Sequence, residues 1–162
     1  MQSTNVLKND WENFAKNVDP RPLMSLNPVK QRKVLLVEDD FTLETIFSSL
    51  FEDIDPNLDM DWVTTGEAAV SRLHEAATRP HEAPYDLVIA DIFLDGKITG
   101  VDFWDLCKVV FPEMPVLLMS GLPLHRFFDL LGTTTTMPPF LQKPLQLNEC
   151  RQTLQGMLDY TD

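Results

Sequence analysis

Five short apolar runs recur along this chain, and each is separated from the next by a stretch with helical periodicity. No other feature constrains the fold as much, because strands that alternate with helices are driven toward a parallel sheet covered on both sides. The runs are residues 34–37, a weaker 60–64, 87–90, 116–119 and 140–142. Between and after them fall five helical faces. These are Leu43, Ile46, Phe47 and Leu50; Ala69, Val70, Leu73 and Ala77; Phe103, Leu106, Cys107 and Val110; Leu124, Phe127, Phe128 and Leu131; and Leu147, Cys150, Leu154 and Leu158. The pattern predicts a three-layer, doubly wound α/β fold whose five parallel strands run in the order 2-1-3-4-5. Strands one and three then flank the switch point, and their C-terminal ends share a pocket.

The third run is the most informative. Leu87, Val88, Ile89 and Ala90 suit a strand buried on both faces, and the run stops at an acid, Asp91. An unpaired carboxylate is expensive to bury, so Asp91 is expected at the strand's C-terminal edge, facing the crevice. Capping of the next turn is the simpler role for such a residue, and its neighbours decide between the two.

A chain of 162 residues, 44% of them hydrophobic, is expected to form one core and to leave no room for an output domain of ordinary size. A formal net charge of -12 argues against attraction to nucleic acid or to anionic membrane. No apolar run is long enough to span a bilayer, and the first twenty residues lack the pattern of a secretion signal, so a cytoplasmic location is expected. Cys107 and Cys150 have no metal-ligand spacing and read as reduced, packed thiols. Ahead of the alternating region, Leu7, Trp11, Phe14 and Val18 mark one face of a short helix, which the prolines at 20 and 22 end. The expected division is an N-terminal extension with its linker at 1–32 and a domain at 33–162.

The strand ends then assemble a constellation. Strand one ends in Glu38-Asp39-Asp40 and strand three in Asp91, while strands four and five end in Ser120 and Lys143. Carboxylates gathered at one crevice repel each other, and a hard divalent cation, with magnesium the natural choice, relieves them. A hydroxyl, an ammonium and a cation facing an aspartate make a receptacle for a phosphoryl group, with the aspartate oxygen as nucleophile. Singly, each group has a plainer role as cap, backbone partner or solvated charge. The signal is their joint occurrence at the ends of successive strands.

With V-L-L-V-E-D-D at 34–40, L-V-I-A-D at 87–91, V-L-L-M-S-G at 116–121 and F-L-Q-K-P at 140–144, the chain from Lys33 to about Asp159 resembles a receiver domain of two-component response regulators. Such receivers share the flavodoxin-like strand order given above. The resemblance implies that Asp91 accepts a phosphoryl group from a sensor histidine kinase or histidine phosphotransfer protein. It also implies that magnesium is held by Asp39, Asp91 and the carbonyl of Phe93, with Glu38 acting through water. Ser120 and Lys143 would bind the phosphoryl oxygens, Phe140 would be the switch aromatic, and Lys143-Pro144 a cis peptide. Asp40 is left as the cap of the first helix.

Some positions depart from the family pattern. Asp95 stands where proline is usual, Gly100 comes one residue late, Phe140 lacks the hydroxyl of the commoner tyrosine, and the connection from Leu73 to Tyr85 is long. Phe93 and Leu122 flank the expected line of water attack, and both are apolar, which implies slow self-dephosphorylation. The fourth helix, with Leu130 added, carries more apolar residues than one buried stripe needs. A wide buried face and a face for a downstream target or a second copy, through this helix, the last strand and the closing helix, both fit. Two rival functions stand beside the switch: an unphosphorylated receiver-like binding module, and an aspartate-nucleophile phosphohydrolase. The latter needs an acid two residues after the nucleophile, where Phe93 lies.

Overall fold

In a computed structural model the chain divides into two compact units, Met1–Lys30 and Gln31–Asp162. The structure describes residues 31–77, 83–132 and 136–160, all in the second unit. The N-terminal helix and linker, most of the connection at 78–84 and most of the threonine run at 133–136 lie outside the described residues.

Within the second unit, strands and helices alternate without exception: β1 (Lys33–Val37), α1 (Phe41–Ile54), β2 (Asp59–Val63), α2 (Gly66–Ala76), β3 (Leu87–Asp91), α3 (Gly100–Val110), β4 (Val116–Ser120), α4 (Leu124–Leu131), β5 (Phe140–Gln142) and α5 (Leu147–Asp159). The sheet is parallel throughout, as the alternation predicts, and ordered β2-β1-β3-β4-β5, the order shared by the receivers the chain resembles. Side chains of alternate strand residues point to opposite faces, so each strand feeds two cores. Leu35, Val37, Val88, Ala90, Val116 and Leu118 pack beneath α2, α3 and α4. Val34, Leu36, Leu87, Ile89, Leu117 and Met119 pack beneath α1 and α5. Cys107 belongs to the first core and Cys150 to the second, so the sheet separates the two thiols, and both are free.

Local chemistry sets where the helices begin. The Asp40 carboxylate accepts from the Thr42 amide at 2.8 Å and caps α1, and Thr65 caps α2. Thr99 and Asp102 form a reciprocal capping box at α3. Gly100 lies against the Asp91 backbone, so the residues three, four and seven further on, Phe103, Trp104 and Cys107, face the sheet and are buried, whereas the expected Leu106 is turned outward. In α5 the expected Leu147 is exposed too, because it stands at the first helical position, above the core that Cys150, Leu154 and Leu158 fill. On α4 only Phe127 and Leu131 are buried, while Leu124, Phe128 and Leu130 are each close to half exposed. The wide apolar face is therefore only partly covered by its own domain.

Candidate functional site

Strand register brings the distant acids together. Val37 pairs with Ala90, so the residues that follow, Glu38 and Asp91, emerge side by side at the C-terminal edge of the sheet. Ligand oxygens of Glu38, Asp39 and Asp91 all lie within 4.8 Å of one another. Glu38 is fully buried and Asp91 nearly so, while Asp39 faces solvent. Across β4, Ser120 pairs with Gln142, and the next residue on β5 is Lys143. The Lys143 amide donates to the Ser120 carbonyl at 2.8 Å, fixing the base of the side chain, and the Lys143–Pro144 peptide is cis.

The lysine closes the cluster. Its Nζ donates to Glu38 Oε2 at 2.7 Å and to Asp91 Oδ2 at 2.6 Å. Burial works to discharge the ammonium, yet these two carboxylates prevail and hold the Lys143 pKa above its ordinary value. Burial pushes the Glu38 carboxyl up, against the lysine and the Asp40 amide, which pull it down. The remaining oxygens are oriented by the backbone. Glu38 Oε1 accepts from the Asp40 amide at 3.0 Å, and Asp91 Oδ1 accepts from the Phe93 amide at 3.2 Å.

Three carboxylates and one ammonium leave about two negative charges when all are ionised, in a set made wholly of hard oxygen donors. That chemistry fits a divalent cation of the magnesium class. Glu38, Asp39 and Asp91 are the groups the fold brings within reach of one such ion. Close packing stiffens the rim: a Cβ at Gly100 would lie 2.1 Å from the Asp91 carbonyl oxygen, so only glycine lets α3 begin so near the site.

Ser120 is fully buried at the end of β4, and its Oγ accepts from the Leu122 amide at 3.1 Å. The Phe93 side chain is exposed. Phe140 is stacked on Phe127 with ring centroids 4.2 Å apart and planes 17° from parallel. Two contributors escape sequence reasoning. Trp62 donates from Nε1 to the Glu38 carbonyl at 2.7 Å, steadying the acid pair from the neighbouring edge strand. Glu67, at the start of α2, accepts from the Lys97 amide at 2.7 Å and so touches the connection that follows Asp91. Nothing in the local sequence around Trp62 or Glu67 announces these contacts.

The family model described as Response regulator receiver domain matches residues 34–155. The chain belongs to this family, the receivers of two-component signalling. Among similar proteins, the transcription factor SKN7 of Chaetomium thermophilum is 28% identical over 117 residues. That match covers 68% of this chain and 14% of the SKN7 protein, so the chain spans about a seventh of that relative's length. Solved structures agree in fold. The signal receiver domain of an HD domain-containing protein from Pseudomonas fluorescens Pf-5 superposes with a TM-score of 0.68 at 16% identity, covering 90% of this chain and 94% of that one. A response regulator receiver protein from Sinorhizobium medicae gives 0.66 at 19% identity, covering 83% and 99%. The chemotaxis protein CheY4 of Vibrio cholerae gives 0.62 at 19%, covering 78% and 98%. Among the described residues no helix is long and apolar enough to cross a membrane.

Proposed function

We propose that residues 33–162 act as a phosphorylation switch in which Asp91 is the acceptor. The observation that carries this reading is the Lys143 ammonium bridging Glu38 and Asp91 within a three-carboxylate cluster. In the reaction an Asp91 oxygen attacks the phosphorus of a phosphohistidine on a sensor kinase or phosphotransfer protein. The P–N bond breaks, a P–O bond to Asp91 forms, and the histidine leaves. Magnesium held by Asp39, Asp91 and the Phe93 carbonyl, with Glu38 acting through water, would supply countercharge to the phosphoryl oxygens. The Lys143 ammonium transfers its hydrogen bond from the Asp91 carboxylate to a phosphoryl oxygen, and the Ser120 hydroxyl turns to donate to another.

The new group adds a charge of about -1.5 to -2. Its pull on Ser120 and Lys143 reaches the ends of β4 and β5. Phe140, on β5, has no hydroxyl to bond, so its response is one of packing against Phe127. The half-exposed Leu124, Phe128 and Leu130 of α4 lie beside that ring pair and favour an output through protein contact, to a downstream target or a second copy. The same face would serve a receiver-like binding module that is never phosphorylated. The acidic net charge and the absence of a membrane-crossing helix among the described residues are compatible with a cytoplasmic protein that does not itself bind nucleic acid. Incubation with acetyl phosphate and magnesium tests the switch: labelling is expected for the native chain and abolished in Asp91→Asn. Equal labelling of the two would overturn it, and capture of the same partner by both forms would favour the unphosphorylated module.

A further inference from the structure

The connection after Asp91 is held in its middle by a residue from another helix. Its ends are fixed by the scaffold: the Ile92 amide donates to the Met119 carbonyl, and the Ile92 carbonyl accepts from Gly100. Between them, Asp95, Gly96 and Lys97 each meet a residue at the start of α2. Asp95 forms a parallel bridge with Thr65. Glu67 Oε1 accepts from the Lys97 amide at 2.7 Å, and its Oε2 is buried against Gly96 without a hydrogen-bond partner of its own. The fit is close from both sides. Gly96 has φ +109 and a Cβ there would lie 2.5 Å from Glu67 Oε2, while a Cβ on Gly66 would lie 2.4 Å from the Ile98 carbonyl oxygen. A side chain at either glycine would push the loop and α2 apart. The Lys97 amide also holds the Glu67 carboxyl below the usual carboxylate range.

We propose that Glu67 is a positioning residue for the phosphoacceptor site: its carboxylate clamps the loop after Asp91 onto α2 and thereby presets the Phe93 carbonyl for a divalent cation. This rests on the site proposed above. A loop tied only at its ends must be ordered when the cation binds, whereas a loop already clamped spends less of the binding free energy on ordering. Groups that orient a ligand without touching the metal typically weaken binding ten- to a hundredfold when removed.

The test uses the full chain and magnesium chloride as the probe. Calorimetric titration is run on the native protein, Glu67→Ala, Glu67→Gln and a control, Glu149→Gln, which removes an exposed acid from the first turn of α5. Hydrogen exchange at the Lys97 amide is followed in the same proteins without metal. Magnesium affinity is expected to fall about tenfold in Glu67→Ala and less in Glu67→Gln, whose amide oxygen can still accept from Lys97. Lys97 protection is expected to fall in the same order, and Glu149→Gln should match the native chain. Native affinity in Glu67→Ala, or lost protection with unchanged affinity, would overturn the proposal. If Glu67→Ala does not fold, Glu67→Gln decides by the same two readings. Failure of the native chain itself to bind magnesium would sink the proposed site, and with it this inference.

Discussion

Replacing Lys143 by methionine keeps most of the apolar stem and removes the one ammonium that bridges the acidic cluster. The Glu38 side chain is wholly buried, that of Asp91 is 10% exposed and that of Lys143 21%. Breaking a fully buried pair by deleting one partner costs about 3–5 kcal/mol, because a charge is left uncompensated. Partial access of water to the lysine end argues for the bottom of that range, about 3 kcal/mol. For a domain of this size that is roughly 10 °C in melting temperature. The assay is thermal and urea unfolding of both proteins at pH 7 in a chelator. Two further arms isolate the cause. Adding magnesium should narrow the gap, since the variant cluster carries one more negative charge and gains more from a cation. Lowering the pH toward 5 should also narrow it. Burial already raises the Glu38 carboxyl, losing the lysine raises it further, and protonation then removes the repulsion that Lys143 had offset. A variant that melts within 2 °C of the native protein in chelator, or whose deficit grows with magnesium, would refute this electrostatic account (threshold set at under about 1 kcal/mol).

Other expectations follow from the same structure. Phe127 is fully buried and stacked on Phe140, so Phe127→Ala should cost about 3–5 kcal/mol in urea unfolding, and a loss under about 1 kcal/mol would mean the pair does not anchor α4. Burial pushes the Cys107 thiol from 9.0 up to about 12. The unfolded chain then releases this proton first, so the thiol's contribution is complete below pH 9 and lost as pH rises from there. Native protein should lose about 1.4 kcal/mol more than Cys107→Ala between pH 7 and 10, and parallel losses would contradict the burial argument. With apolar Phe93 and Leu122 flanking the line of attack, phosphorylated protein should decay slowly, and Leu122→Gln should hasten it; a native half-life of seconds would remove the basis for this.

Legibility in the sequence followed the distance over which each feature is determined. Leu87, Val88, Ile89 and Ala90 could only be a strand covered on both faces, and every one of them is fully buried. Because parallel strands start in near register, the polar residues that follow each run emerge at one edge, which is why the sequence alone points to Glu38, Asp91, Ser120 and Lys143 as neighbours. β2 is fainter because Asp59 and Asp61 alternate with Met60 and Trp62, as suits a half-exposed edge strand, and it spans Asp59–Val63, one residue earlier at both ends than the expected 60–64. Helix rotation was harder still. The stretch holding Phe103, Trp104, Leu106, Cys107 and Val109 contains two overlapping apolar stripes, and the one in line with Gly100, which lies against the Asp91 backbone, is buried. Glu67 shows where pattern stops being informative. An acid in a first helical turn already has a sufficient local reason in the helix dipole, so its sequence context gives no cause to look for a second partner. Only the approach of Gly66 to Ile98 brings that carboxylate onto the Lys97 amide. The groups that react sit at strand ends and are read from periodicity, whereas those that hold the reacting groups still depend on contacts between elements, which no periodicity encodes.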